Sequence, residues 1–138
     1  MKLLLEIMKK ISYKSVYEFQ RDYKKLSKKF PSMEEDLQVA KRDAIELYHV
    51  RNIDNQSVFP IPRFCSEELL ICKLKKFSCK SLRGRGCNSG IRIIYAYYSS
   101  LKIVEFIEIY FKGDKEKEDH KRIRDYLKRG LLADLSTG

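Results

Sequence analysis

The amino-acid sequence predicts an α+β fold, in which a small antiparallel sheet packs on an N-terminal helical hairpin and is followed by a C-terminal helix. Two early stretches have apolar residues every three or four positions, three later stretches are β-branched and aromatic, and a final stretch has helical spacing again. A length of 138 residues, 43% hydrophobic and 35% charged, predicts a single globular domain over residues 1–138.

The first eight residues, MKLLLEIM, could form an N-terminal extension. Glu6 interrupts their apolar run, no small-residue cleavage site follows, and the run is too short to span a bilayer. We therefore predict neither a signal peptide nor a membrane anchor, and we expect the protein in the cytoplasm. Met8 is an alternative start. A first strand is expected within Leu3–Tyr13.

Residues 15–30 and 32–47 are each predicted to form an amphipathic helix. Both begin with a capping-box pattern, a serine followed three positions later by a glutamate. Pro31 separates the two helices, so they are expected to pack as an antiparallel hairpin. The serine–glutamate pairs are Ser15 with Glu18 and Ser32 with Glu35. The apolar positions are Val16, Phe19, Tyr23, Leu26 and Phe30, then Met33, Leu37, Ala40, Ala44 and Leu47.

The rest of the chain is predicted to contain strands joined by short links, which pair as antiparallel neighbours. Residues 50–66 hold two prolines and no clean period, which indicates an irregular loop. Residues 81–90, SLRGRGCNSG, are typical of a turn. The predicted strands are Leu69–Phe77, Ile91–Tyr98 and Lys102–Lys112, and the final helix covers Lys115–Leu132.

The cysteines and histidines do not form a metal-binding pattern. No two cysteines have CxxC spacing, and only two histidines are present, His49 and His120. We predict reduced, mostly buried thiols and neither a metal nor a cofactor. The cysteines are Cys65, Cys72, Cys79 and Cys87.

Side chains alternate across a strand, so residue parity predicts which face of the sheet each side chain joins. One face is apolar and is expected to pack on the helices, with Glu105 as its exception. The residues predicted on this face are Leu70, Cys72 and Leu74, Ile91, Ile93, Tyr95 and Tyr97, and Ile103, Ile107, Ile109 and Phe111.

The opposite face is predicted to be open and to collect cations. Converging cations are stabilised by an anion, and an arginine fork suits phosphate. Lys and Arg outnumber Asp and Glu by 29 to 19, a net charge of +10, which also favours an anionic partner. A single lysine there could be an ordinary solvated residue, and Arg92 could instead pair with Glu108. The residues on this face are Lys73, Lys75, Arg92, Glu108, Tyr110 and Lys112.

The adjoining turn is predicted to contribute to phosphate or RNA binding. It carries the cations Arg83 and Arg85, and Ser89 with Gly90 precedes the middle strand. A glycine at this position allows a phosphate backbone to approach closely.

The segments "GIRIIYAYY" and "KIVEFIEIYFKGDKEKED", with the Lys-rich helix "FQRDYKKLSKKF" before them, resemble the RelE/ParE superfamily. These proteins are the toxins of type II toxin–antitoxin systems. The resemblance covers roughly residues 10–129. It implies a RelE-like toxin domain that acts as a metal-independent mRNA endoribonuclease, commonly in the ribosomal A site, and thereby inhibits translation.

The reaction that the resemblance implies is attack of the ribose 2′-hydroxyl on the adjacent phosphate, which gives a 2′,3′-cyclic phosphate. Carried over by position, Lys73 and Lys75 would contact phosphate and help activate the 2′-hydroxyl. Arg92 would stabilise the phosphorane, and Lys112 would match the basic residue that closes the last strand.

The residue that moves the proton is left open. Tyr110 and Glu108 are candidates on the cationic face, although Glu108 could simply neutralise Arg92. His120 can titrate near neutral pH but lies in a highly charged segment. Tyr126 is expected to pack beside Ile123 and Leu127 instead.

The resemblance implies mRNA, the ribosome and a small acidic antitoxin as partners, with a toxin–antitoxin hetero-oligomer and no membrane. Two other functions fit the same fold. One is a ParE-like DNA gyrase poison, which generally lacks the ribonuclease cation set. The other is a nontoxic module that binds RNA or a peptide.

Overall fold

The computed structural model describes residues 10–82, 84–86 and 88–137. It has a mixed α+β architecture built on a five-stranded sheet of order β1-β5-β4-β3-β2. The strands are β1, Ser12–Ser15; β2, Val58–Pro60; β3, Leu69–Leu74; β4, Ile91–Tyr98; and β5, Ile103–Phe111.

The sheet is antiparallel from β2 to β5, as predicted for β3, β4 and β5, but β1 pairs parallel with β5. The prediction of a wholly antiparallel sheet is therefore wrong at this edge, where a connection of 87 residues, from 16 to 102, separates the two strands. The interpretation of residues 50–66 as irregular also missed β2. Residues 1–9, which include most of the segment expected to hold the first strand, lie outside the described residues.

The helical hairpin follows β1, and the C-terminal helix follows β5. One arm of the hairpin is a single helix, and the other passes through a π-helical segment, Lys41–Glu46. The α-helices are α1, Tyr17–Lys29; α2, Met33–Ala40; α3, Leu47–His49; and α4, His120–Thr137.

Neither predicted capping box forms, because both serine hydroxyls make other hydrogen bonds. Ser15 Oγ accepts a hydrogen bond from Gln20 Nε2 at 3.0 Å. Ser32 Oγ donates to the buried Asp36 carboxylate at 2.6 Å and accepts from the backbone N–H of Ser81 at 2.9 Å. Ser32 thus joins the hairpin to the turn after β3 rather than closing the start of its own helix.

The parity prediction holds in β3 and β4 and fails in part of β5. Ile94 pairs with Glu108 and Tyr95 with Phe106, which leaves Ile107 as a bulge. The extra residue reverses the alternation, so Phe106 joins the hairpin side of the sheet and Ile107 the other side. The placement of Ile103 and Ile107 against the hairpin is therefore wrong, since Ile103 pairs with Tyr98 on the far side.

The face opposite the hairpin is not open along its whole length. Helix α4 packs Ile123 and Tyr126 on it, as predicted for Tyr126. The hydroxyl of Tyr126 donates to Glu105 at 2.6 Å, which explains why an acid interrupts an apolar strand. The sheet residues beneath the helix are Ile71, Ile94, Ala96 and Ile107.

Among the described residues, Cys65, Cys72 and Cys79 carry free thiols, and the last two are buried. Cys87 lies outside the described residues. No described group of three or more His, Cys, Asp and Glu side chains is arranged to hold a metal ion. Over the same part of the chain, no helix is long and apolar enough to cross a bilayer.

Candidate functional site

A cleft with a volume of about 410 Å³ opens at the end of the sheet where β3 and β5 finish and β4 begins. Its lining is strongly basic and contains no carboxylate among the described residues. We call it the cationic cleft. The residues that line it are Gln56, Phe59, Lys75, Lys76, Asn88, Gly90, Arg92 and Lys112.

Within the described residues, no carboxylate forms an ion pair with any of the four cations of the cleft. Arg92 is half-buried and donates through Nη1 to the backbone carbonyl of Lys75. Lys76 Nζ donates to the carbonyl of Asn55 at 3.4 Å, and Lys112 is exposed. The positive charge therefore stays available to an anion.

Gly90 links the start of β4, which carries Arg92, to Lys112 directly after the end of β5. Its φ of +85° lies in the left-handed region that favours glycine. Its carbonyl accepts the backbone N–H of Lys112 at 2.8 Å, which closes the β4–β5 ladder. Ser89 beside it does not face the cleft, because it is fully buried and its hydroxyl donates to the carbonyl of Phe77. The prediction that Ser89 contacts phosphate is wrong for this reason.

Phe59 was missed by the sequence analysis. It lies on β2, its side chain is 38% exposed, and Lys75 Nζ lies 4.6 Å from its ring centroid. The prolines around it favoured a loop, although an edge strand tolerates proline. The run SVFPIP, with a β-branched and an aromatic residue before proline, was the available signal. Parity places only alternate lysines of KLKK on this face, so it does not predict that Lys76 lines the cleft.

Lys73 lies outside the cleft and is neutralised. Its Nζ is 3.2 Å from both carboxylate oxygens of Glu118, and the two side chains are only 18% and 11% exposed. The expectation that the sheet face is open at Lys73 is therefore wrong. Glu118 lies in the segment between β5 and α4, 45 residues from Lys73 in the chain.

Glu108 is buried and does not pair with Arg92. Its carboxylate accepts hydrogen bonds from Lys115 Nζ and, at 2.8 Å, from the backbone N–H of Asp119. Pairing with Arg92 is thus a wrong prediction. Glu108 instead anchors the segment that precedes α4 to the sheet.

Tyr110 pairs directly with Arg92 across the ladder but is buried. Within the described structure its hydroxyl has no hydrogen-bond partner. Burial raises the pKa of this hydroxyl well above its usual 10, and the carboxylates of Glu118 and Glu108 raise it further. The phenol is therefore protonated at neutral pH and can donate a hydrogen bond.

The remaining predicted residues lie around this site without lining the cleft. His120 begins α4, with its ring edge-on to Phe64 and its Nε2 3.9 Å from Glu118. Arg85 is exposed on the turn before β4. Arg83 lies outside the described residues.

No protein-family model matches the sequence. A search of curated proteins likewise finds no match. The fold is similar to a solved structure, the crystal structure of the archaeal RelE–RelB complex from Pyrococcus horikoshii OT3, with a TM-score of 0.49 and 13% identity. The alignment covers 76% of this chain and 98% of that chain.

Proposed function

We propose that this protein is a RelE-like toxin that binds single-stranded mRNA in the cationic cleft and cleaves it, thereby inhibiting translation. The observation that carries the proposal is a cleft with four cations, none of which pairs with a carboxylate in the described part of the chain, and with an exposed aromatic ring. Cations that follow a phosphate backbone, together with a ring on which a base can stack, are typical of single-strand binding.

Each part of the cleft has a distinct role in this proposal. Arg92 offers its guanidinium to the scissile phosphate and stabilises the charge of the phosphorane. Lys75 and Lys112 bind the same or adjoining phosphates, and Gly90 lets the backbone approach. Phe59 stacks with a neighbouring base.

The proposed reaction needs no metal, because the cations supply the charge stabilisation. The ribose 2′-oxygen forms a bond to the adjacent phosphorus as it loses its proton. The bond from phosphorus to the 5′-oxygen breaks, and the departing oxygen takes a proton. The products are a 2′,3′-cyclic phosphate and a free 5′-hydroxyl.

The partner in this proposal is a small acidic antitoxin, which binds the toxin as a hetero-oligomer. A flexible acidic segment would gain favourable contacts with the cleft cations as it folds on them. The ribosome would present the mRNA, which assigns the protein to the cytoplasm.

A nontoxic RNA-binding module is a second candidate, because one observation favours it. Among the described lining residues of the cleft there is no carboxylate, histidine or tyrosine that would act as an ordinary acid or base. Binding without cleavage would follow if the lysines cannot move the proton.

The test uses purified protein, labelled single-stranded RNA and ribosome-bound mRNA, with a chelator present throughout. We compare wild type with Arg92→Ala and with Lys24→Ala, which removes an exposed cation from α1. The proposal is supported if Arg92→Ala loses both RNA binding and the formation of products with a 2′,3′-cyclic phosphate, while Lys24→Ala retains both. Arg92-dependent binding without cleavage selects the second candidate. Equal RNA binding by wild type and Arg92→Ala, or inhibition of gyrase supercoiling instead of RNA cleavage, overturns it.

A further inference from the structure

We propose a second anion-binding subsite beside the cationic cleft, formed by Lys73, Tyr110 and the start of α4 and occupied in the free protein by the carboxylate of Glu118. Its ligand is the RNA phosphate next to the one at Arg92, so this inference rests on the proposed function. Glu118 is then an internal substitute for that phosphate, which the substrate displaces.

The subsite adjoins the cleft through the register of the sheet. Tyr110 pairs directly with Arg92, and Lys73 pairs with Ile94, two residues along β4 from Arg92. Diagonal neighbours of this kind lie about 7–8 Å apart, within reach of long side chains. Lys73, Arg92 and Tyr110 therefore form one contiguous group on one face of the sheet.

The surroundings of Glu118 suit an anion. Lys73 Nζ lies 3.2 Å from both of its carboxylate oxygens, and His120 Nε2 lies at 3.9 Å. Helix α4 begins two residues later, and its N-terminus favours negative charge. Burial would raise the pKa of Glu118, but a backbone hydrogen bond and the Lys73 ammonium lower it overall, so the group is a charged carboxylate.

Tyr110 provides an independent indication that a ligand is accommodated here. Its side chain is 5% exposed, and its hydroxyl lacks a hydrogen-bond partner in the described structure. Of the charged groups that raise the pKa of this hydroxyl, the Glu118 carboxylate has the largest influence, ahead of Glu108. A buried hydroxyl without a partner is unfavourable. A phosphate has more acceptor oxygens than a carboxylate, and Tyr110 donates to one of them when the phosphate replaces Glu118.

Access to the subsite requires displacement of one side chain rather than unfolding. The backbone beside Glu118 stays anchored through Glu108, which binds Lys115 and the N–H of Asp119. Rotation of the Glu118 side chain towards solvent would leave Lys73 unpaired and adjacent to the cleft. In the free protein, Lys73 is therefore neutralised by Glu118 and becomes available only when that side chain moves away.

The test compares Glu118→Gln with Glu116→Gln, which removes the same charge from an exposed position in the same segment. Binding of a short single-stranded RNA is measured over a range of salt concentrations. We expect Glu118→Gln to bind several-fold more tightly than Glu116→Gln. The slope of log K against log salt should be steeper by about 0.7, which corresponds to one additional phosphate. In Glu118→Gln with Lys73→Met the gain should disappear, and thermal unfolding verifies that each variant is folded.

Inorganic phosphate gives a separate measurement on the same variants, followed by the NMR signals of the His120 ring. If wild type binds RNA through Arg92 but Glu118→Gln behaves like Glu116→Gln with both probes, the subsite proposal is wrong and the proposed function stands. The opposite result is that no variant binds RNA, while phosphate shifts the His120 signals in Glu118→Gln but not in Glu118→Gln with Lys73→Met. In that case the anion subsite stands and the proposed function is wrong.

Discussion

Arg92 and Tyr110 are directly paired across β4 and β5, yet Arg92 lines the cationic cleft while Tyr110 is buried beside it. The difference comes from the segment between β5 and α4. Its Glu118 holds Lys73, and its Lys115 lies 5.7 Å from the ring centroid of Tyr110. One face of the sheet is thereby divided into an accessible cationic part and a covered part.

Replacement of Phe59 by alanine should weaken binding of single-stranded RNA without unfolding the protein. The ring is 38% exposed at the cleft, and stacking of a base on such a ring contributes about 1–3 kcal/mol. Phe59→Tyr should retain most of the affinity because it keeps the ring. Equal affinities of Phe59→Ala and wild type in a fluorescence-anisotropy titration would show that the ring does not stack with RNA.

Glycine-to-alanine substitutions should have opposite effects at two positions. At Gly90, φ is +85°, so Gly90→Ala should destabilise the fold by about 1–2 kcal/mol. At Gly130, in helix α4, an added Cβ meets nothing within 4 Å, so Gly130→Ala should stabilise by about 0.5–1 kcal/mol. Urea unfolding measures both. If both variants are destabilised, or both are stabilised, the explanation from backbone conformation is wrong.

Replacement of Ile123 by alanine should loosen α4 from the sheet. The side chain is fully buried in the cluster beneath this helix, and such truncations cost about 2–5 kcal/mol. The substitution should accelerate amide hydrogen exchange more in α4 than in β4. Arg124→Ala, an exposed position on the same helix, is the matched control and should leave exchange unchanged. Uniform acceleration throughout the sheet would instead indicate global destabilisation.

The stability of the protein should fall as the pH is lowered from about 6.5 to about 4, with His49 as a contributor. Its Nε2 lies 2.7 Å from the Tyr95 hydroxyl, and its ring stacks on Tyr97 with centroids 4.0 Å apart. Burial lowers the pKa of His49 from 6.5 to about 4. In this pH range, His49 is therefore protonated in the unfolded chain but not in the folded protein. This difference lowers the free energy of unfolding by up to about 3 kcal/mol.

His49→Gln isolates this contribution, because the carboxylates that titrate at low pH are common to both proteins. The free energy of unfolding, measured by urea denaturation at several pH values, should depend less on pH in the variant between 6.5 and 4. If the two curves are parallel over this range, the pKa of His49 does not differ between the folded and unfolded states, and the explanation from burial is wrong.

Much of the fold and part of the site follow from local patterns. Alternation along β3 and β4 correctly separated Arg92 from Ile91 and Ile93, because parity is a property of an extended backbone. It failed in β5, where the extra residue Ile107 reverses the alternation. The pattern of apolar residues does not reveal a bulge, since Ile103 and Ile107 are acceptable on either face of a sheet covered on both sides.

Local periodicity and composition are sufficient to predict three helices, three strands, an excess of positive charge and the common face of Lys73, Arg92 and Tyr110. Which of these cations remain available to an anion depends instead on contacts between distant parts of the chain. The pairing of Lys73 with Glu118 joins residues 45 positions apart, and β2 brings Phe59 to the cleft from a proline-rich segment. Such contacts depend on how the chain returns to the sheet, which no local spacing specifies.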